Sequence, residues 1–239
     1  SRGDRVVLLA PNSSRWLAAD LAILFEGAIS VPMYARQAPD ELVGMMKDCA
    51  PSLVVCADDA LAEGIKAHWP DAPIVLLDAL SSGSEVAEAP VALGADEPVT
   101  IIYTSGTSGE PKGVVLSAGN VAFMLPVIAS AIDELMGPQS EDHRVFHYLP
   151  FCFAGSRMVL WMCLFRANGL MVSTDLQNLA QELKTADPNY FLNVPALLER
   201  IKNGVEAKIR TRHALVQALY DQGVRAYEAA SRAQASVGQ

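Results

Sequence analysis

Between two short apolar runs, Val-Thr-Ile-Ile at 99–102 and Val-Val-Leu at 114–116, the chain reads Tyr-Thr-Ser-Gly-Thr-Ser-Gly-Glu-Pro-Lys-Gly over 103–113. Both flanking runs read as strands, one entering the loop and one leaving it. Glycines let a backbone approach a polyanion closely and turn its N–H groups inward. Thr104, Ser105, Thr107 and Ser108 add hydroxyl donors, and Lys112 adds a mobile positive charge. The stretch therefore reads as a phosphate cradle. A flexible Ser/Gly linker is the plain alternative, but linkers do not usually sit between β-type runs or end in Pro-Lys-Gly.

Spacing sets two better-known loops aside. A P-loop needs Gly, four residues, then Gly-Lys-Ser/Thr. Here Gly106 and Gly109 are three apart, and Gly113 follows Lys112. The G-x-G-x-x-G dinucleotide fingerprint is absent as well.

Strand-like and helix-like segments alternate along the chain. Strands are expected at 5–9, 29–34, 53–56 and 74–77. Helices are expected from a cap at Asn12 or Ser13 to about 26, from Pro39 to 49, and at 59–68. On the first helix, Leu17, Leu21, Leu24 and Ala28 share a face. Residues 80–98, rich in Ser, Ala, Gly and acid, read as a surface linker. Beyond the loop, Ser117 can cap a helix containing Pro126. Strands at 143–148, 169–173 and 190–193 then alternate with helices at 155–166 and 176–185, and Pro195 opens another helix. Residues 205–235 are helical by propensity, with Leu215, Leu219, Val224 and Tyr227 as the expected buried face. The fold class is α/β: two stacked βαβ-type layers with mostly parallel sheets. The expected division is a first subdomain at 1–79, the linker at 80–98, a second subdomain with the loop at 99–204, and a helical extension at 205–239.

The chain has 239 residues, 51% of them hydrophobic, enough for a sizeable core. Its net charge of −9 argues against a nucleic-acid surface, so an anionic ligand must be held locally. Cys49, Cys56, Cys152 and Cys163 form no C-x-x-C and read as buried, reduced thiols of a cytoplasmic protein. His68, His143, His147 and His213 show no metal-ligand spacing. The uncharged stretch 113–132 is long enough to span a membrane. It contains Gly119, Asn120 and Pro126 and begins as a strand, so it is read as part of the fold. A lipid-handling enzyme would still meet its substrate at the membrane, which leaves room for peripheral contact.

The loop resembles the phosphate-binding signature of the AMP-forming acyl and aryl ligases, the adenylate-forming superfamily. Gly-Asp-Arg-Val-Val-Leu-Leu at 3–9, Val-Pro-Met-Tyr at 31–34, Tyr-Leu-Pro-Phe at 148–151 and Asn-Val-Pro-Ala-Leu-Leu-Glu-Arg-Ile at 193–201 are similar to long-chain acyl-CoA synthetases. The resemblance implies part of the large N-terminal domain of such an enzyme. It departs at Phe153, where many relatives carry histidine, and over 117–120, where relatives often carry another. The family's adenine, ribose and magnesium residues and its C-terminal lid domain match nothing here. The chain is therefore expected to hold only part of an active site.

The resemblance implies a two-step reaction on small-molecule substrates. A fatty-acid carboxylate joins the ATP α-phosphate and pyrophosphate leaves; the acyl group then passes to coenzyme A. Thr104, Ser105, Gly106, Thr107, Ser108 and Gly109 would cradle the β- and γ-phosphates. Lys112 would neutralise the departing pyrophosphate, and Mg2+ would bridge phosphates with Thr107 as a loop ligand. Phe153, Arg157, Val194 and Pro195 are the acyl-side candidates. For Arg157 a salt bridge or a solvated helix charge is the alternative, and for the others core packing. A non-catalytic ATP-binding fragment, a fatty acyl-AMP ligase with another acceptor, and a phosphotransferase are the competing functions.

Overall fold

The computed structural model describes residues 1–82, 89–106, 109–138, 143–173 and 175–237. The chain forms two compact units, Ser1–Leu192 and Asn193–Gln239. The first unit begins with β1 (Arg5–Leu9), α1 (Ser14–Phe25), β2 (Ile29–Pro32), α2 (Pro39–Cys49), β3 (Leu53–Cys56), α3 (Asp59–His68) and β4 (Ile74–Leu76). A 3-10 turn at Leu77–Ser82 follows. Then come β5 (Pro98–Ser105), β6 (Pro111–Ser117), α4 (Ala118–Met136), β7 (Arg144–His147), α5 (Ala154–Phe165), β8 (Gly169–Val172), α6 (Leu179–Ala186) and β9 (Tyr190–Phe191).

Local chemistry sets the helix starts. Ser13 Oγ accepts from the Trp16 amide at 3.0 Å, and Asp58 Oδ1 accepts from the Leu61 amide at 2.9 Å. Pro39 opens α2, where its missing N–H costs no helical bond. Ser117 and Asn120 form a reciprocal capping box at the start of α4. Pro126 lies inside that helix without ending it.

Two sheets result. The larger has strand order β4-β3-β1-β2-β5-β6, parallel except for the antiparallel β5–β6 pair; the smaller, β8-β7-β9, is parallel throughout. Strands buried on both faces need apolar side chains at successive positions, which is what β1 and β3 supply. Val7 and Leu9 turn toward Leu42 and Met46 of α2 and Ile65 of α3. Val6 and Leu8 turn the other way, toward Trp16 and Ile23 of α1 and Leu160 of α5. Leu170 and Val172 of β8 pack on this second cluster, so α1 and α5 lie between the two sheets. Each such fully buried aliphatic or aromatic side chain contributes about 1.5–3 kcal/mol.

Three expectations are corrected. First, the loop does not belong to a second subdomain starting at 99. β5 pairs with β2 through Ser30 and Thr100, so the loop hangs from the first sheet, and 80–98 separates strands of one sheet. Second, the buried face of α1 is Trp16, Ala19, Asp20 and Ile23, with Leu17, Leu21 and Leu24 only half-buried. The indole dictates the helix rotation because it carries the largest area to bury.

Third, the second unit pairs α7 (Pro195–Arg210) with α8 (Ala214–Val237), but Leu215, Leu219, Val224 and Tyr227 of α8 are exposed. No described residue covers that stripe. The unit boundary also falls at 192/193, ahead of α7, rather than at 205.

Among the described residues one helix, α4, is long and apolar enough to cross a membrane. Its Asp133 accepts from Arg166 Nη2 at 2.7 Å.

Candidate functional site

The order of the large sheet reverses at β1: the chain steps from β1 to β2 on one side and to β3 on the other. Open α/β sheets take ligands in the crevice beyond the carboxyl ends of their strands at such a point. Ala10 and Asn12 follow β1 there, and Met33 and Tyr34 follow β2. The ends of β7 and β8 reach the same place through Tyr148 and Ser173. Asn12 ties the sheets together: its Nδ2 donates to the Leu149 carbonyl at 2.7 Å, and its Oδ1 accepts from the Phe151 amide at 2.9 Å.

The crevice has two adjoining parts. An apolar slot of about 120 Å³ lies between the ends of β1 and β2 and the segment after β7. A second recess of about 220 Å³ lies beside the loop, walled by Tyr34, Tyr103, Thr104, Ser105, Pro111 and Phe153. Met33, Tyr34 and Cys152 line both parts. The structure thus brings Thr104, Ser105 and Phe153 together. The Phe153 ring lies 5.9 Å from that of Tyr34, tilted by 33°.

The loop is the tip of a β-hairpin rather than a strand-to-helix turn. Thr104 faces Lys112 and Ser105 faces Pro111 across the antiparallel pair. Gly109 adopts φ +84°, a left-handed backbone that disfavours a side chain, and its amide donates to the Gly106 carbonyl at 3.1 Å. A Cβ on Gly106 would come within 2.9 Å of the Glu110 carbonyl oxygen and 3.2 Å of Lys112 Cδ and Cε. The lysine stem therefore crosses directly over this glycine. Thr104, Ser105, Gly109 and Lys112 are exposed, and Gly106 is half-buried. Thr107 and Ser108, named above as phosphate ligands and Thr107 as a metal ligand, lie outside the described residues. Because the obstacle to a Gly106 side chain is backbone, Gly106→Ala must open the loop. It is expected to raise the KM for nucleotide roughly tenfold, the effect of about 1.4 kcal/mol, with the unfolding midpoint unchanged. Steady-state kinetics and a thermal melt check both parts.

The remaining acyl-side candidates part company. Arg157 lines neither part of the groove: it is fully buried, with Nη1 at 2.5 Å from Asp20 Oδ1. Its guanidinium carbon sits 4.8 Å from the Trp161 ring centroid and 5.6 Å from that of Trp16. A guanidinium without water must find a carboxylate and π faces, and α5 delivers it to both. Val194 and Pro195 belong to the second unit, where Val194 precedes α7 and Pro195 opens it.

Burial holds two wall groups, Tyr103 and Cys152, and the nearby His147 in their neutral forms. Burial, and then the bond its hydroxyl donates to Asp48 Oδ2 at 2.5 Å, push the Tyr103 phenol up. Burial pushes the Cys152 thiol up to about 12, which leaves it protonated and a poor nucleophile. His147 is stacked on Phe151 at 5.3 Å, and burial lowers its pKa to about 4. The nearby Leu149 backbone opposes that shift, but neither ring nitrogen meets hydrogen-bond geometry among the described residues.

A histidine held neutral in the fold takes up a proton on unfolding. Its stabilising effect is full above the ordinary histidine pKa and is lost as pH falls from about 6.5 toward 4. The loss is on the order of 2–3 kcal/mol. Urea titrations at about pH 7 and about pH 4.5 should show His147→Phe losing less stability on acidification than the parent chain.

Sequence reasoning missed Tyr34 as a wall residue, although Val-Pro-Met-Tyr was singled out. It also missed Asp20, whose signal was a carboxylate at helical spacing from Trp16 and Ile23.

With this geometry in view, the comparisons are specific. The family described as AMP-binding enzyme matches residues 1–235. The long-chain-fatty-acid–CoA ligase FadD15 of Mycobacterium tuberculosis is 25% identical over 222 residues, covering 85% of this chain and 36% of that protein. Among solved structures, the N-terminal domain of FACL13 from Mycobacterium tuberculosis superposes with a TM-score of 0.73 at 24% identity, over 84% of this chain and 52% of that one. ATP-bound MatB from Rhodopseudomonas palustris superposes with a TM-score of 0.71 at 26% identity, over 84% and 41%. The chain spans about a third of the length of FadD15 and of the mouse long-chain-fatty-acid–CoA ligase 5. It belongs to the AMP-binding enzyme family and has the α/β fold of the N-terminal domain of adenylate-forming enzymes.

Proposed function

We propose that this member of the AMP-binding enzyme family serves an ATP-dependent, AMP-forming ligase that activates a fatty-acid carboxylate as acyl-adenylate and passes it to coenzyme A. The observation that carries the reading is the seating of a glycine- and hydroxyl-rich hairpin tip against an apolar groove at the carboxyl ends of both sheets. A polyanion and an apolar acid can meet there. FadD15, a long-chain-fatty-acid–CoA ligase by name, and ATP-bound MatB support the acid class and the nucleotide.

In the first step a carboxylate oxygen attacks the α-phosphorus, the bond to the β-phosphate bridging oxygen breaks, and pyrophosphate leaves. In the second, the coenzyme A sulfur attacks the acyl carbonyl, AMP leaves, and the thiol proton passes to solvent. Negative charge grows on the departing phosphates, so catalysis is positioning and electrostatic stabilisation. Thr104 and Ser105 hydroxyls and the Gly106 amide cradle the β- and γ-phosphates, while the Gly109 amide closes the turn on the Gly106 carbonyl. Lys112 neutralises the leaving group. Magnesium, when bound to the phosphates, supplies further charge neutralisation, and a loop hydroxyl is the residue type suited to it. Tyr34 and Phe153 wall the acid side; Phe153 cannot relay a proton, so its part is shape.

Nucleotide products test the reading. After incubation with ATP, magnesium, coenzyme A and a long-chain acid, AMP and pyrophosphate are expected. ADP with phosphate would assign a phosphotransferase instead, and bound but unconverted ATP would assign a binding protein.

A further inference from the structure

The groove's walls come from elements far apart in sequence. Phe153 directly precedes α5, and Tyr34 follows β2. Phe153 sits one helical turn ahead of Arg157, whose backbone amide donates to the Phe153 carbonyl at 3.0 Å, so the turn that carries the wall is continuous with the residue that holds the guanidinium. Its guanidinium is clamped by Asp20 at 2.5 Å and by two indole faces. Asp20 Oδ1 also accepts from Ser30 Oγ at 2.6 Å. The Ser30 carbonyl in turn accepts from Thr100 Oγ1 at 2.7 Å. Ser30 lies on β2, the strand leading to Tyr34, and Thr100 lies on β5, the strand leading to Thr104. One buried polar chain thus links the elements that present Phe153, Tyr34 and Thr104.

We infer that Asp20 and Arg157 are positioning residues that set the width of the acid-binding groove between Tyr34 and Phe153. The inference rests on the ligase reading for its substrate and on the contacts above for its geometry. A buried ion pair returns little net stability over an apolar pair of similar volume. None of the Arg157 guanidinium nitrogens meets hydrogen-bond geometry among the described residues, so the grip is the ion pair and the two ring contacts. A guanidinium held by one carboxylate and two rings still has fewer positions open to it than apolar side chains, which can slide. Without the pair, α5 is free to shift against β2 and the walls lose their spacing. The hairpin tip, built on β5 and β6, keeps its own hydrogen-bonded register.

The test replaces both partners at once, Asp20→Leu with Arg157→Met, in the protein that carries this chain, because removing both leaves no orphan charge. A 4-fluorophenylalanine at position 153 reports wall order by 19F NMR independently of turnover. The expected result is a rise of about tenfold or more in KM for the acid, with kcat and the KM for ATP within about threefold of the parent values. The single sharp fluorine resonance of the parent should split or broaden. Arg157→Lys, which keeps the charge but loses the planar fork, should fall between the two, and it serves alone if the double variant does not fold. An unchanged acid KM with one sharp resonance would overturn the inference. So would an equal rise in both KM values, since that is general loosening. If the parent shows no acid-dependent turnover, the ligase reading fails, and the fluorine spectrum alone decides whether the pair holds the wall.

Discussion

Lys112→Ala is expected to slow acid-dependent pyrophosphate exchange by roughly 10²–10³-fold, the effect of removing one group that stabilises developing charge. The unfolding midpoint should stay within about 2 °C, since an exposed substitution away from the core changes stability by less than about 0.5 kcal/mol. The reasoning is geometric. Lys112 is exposed, it faces Thr104 across the hairpin, and its stem passes over Gly106. Among the described residues it makes no ion pair, so its charge is available to a ligand. The lysine acts most where charge is greatest, on the departing pyrophosphate, so kcat should fall more than affinity for ATP. A full exchange rate in Lys112→Ala, or an equal loss of rate and stability, would contradict that role.

Arg157→Ala is expected to do the reverse: it should cost about 3–5 kcal/mol of folding free energy, because Asp20 is left charged and dry in the core. Asp20 is 1% exposed and Arg157 is fully buried. Ser30 can still donate one hydrogen bond to the carboxylate, which softens the loss without neutralising the charge. The indoles of Trp16 and Trp161 lose their cation as well. Asp20→Leu with Arg157→Met should recover most of that stability, because no charge remains to be solvated. Urea denaturation of the single and double variants checks the sign and size. A loss below about 1 kcal/mol for Arg157→Ala would mean that water reaches the pair.

Much of the fold was legible because local signals agreed with the outcome. The apolar runs of β1 and β3, the Ser13 and Asp58 caps and Pro39 each act within a few residues, and the elements begin where they direct. The choice of sheet for β5 was not local. Its partner β2 lies some seventy residues earlier, through Ser30 and Thr100, and no periodicity specifies a strand's neighbour. For the same reason the loop could be located between its two strands from local residues, while its fellow wall residue Tyr34 could not be placed beside it. Arg157 was read as an acyl-side candidate with a salt bridge as one alternative, and the salt bridge is what forms; its partner sits on another helix, and pairing across such a distance leaves no sequence signature. On α8 the apolar stripe was correctly located but its burial was not, because a stripe indicates what a helix could bury and not whether a partner is present.

Fatty-acid-dependent exchange of labelled pyrophosphate into ATP tests the central claim most directly, since it requires reversible formation of an acyl-adenylate. The protein carrying this chain should show exchange that depends on the acid and on magnesium and falls sharply in Lys112→Ala. A folded, ATP-binding protein with no exchange across short and long acids would contradict the ligase assignment and leave nucleotide binding as the function of the loop.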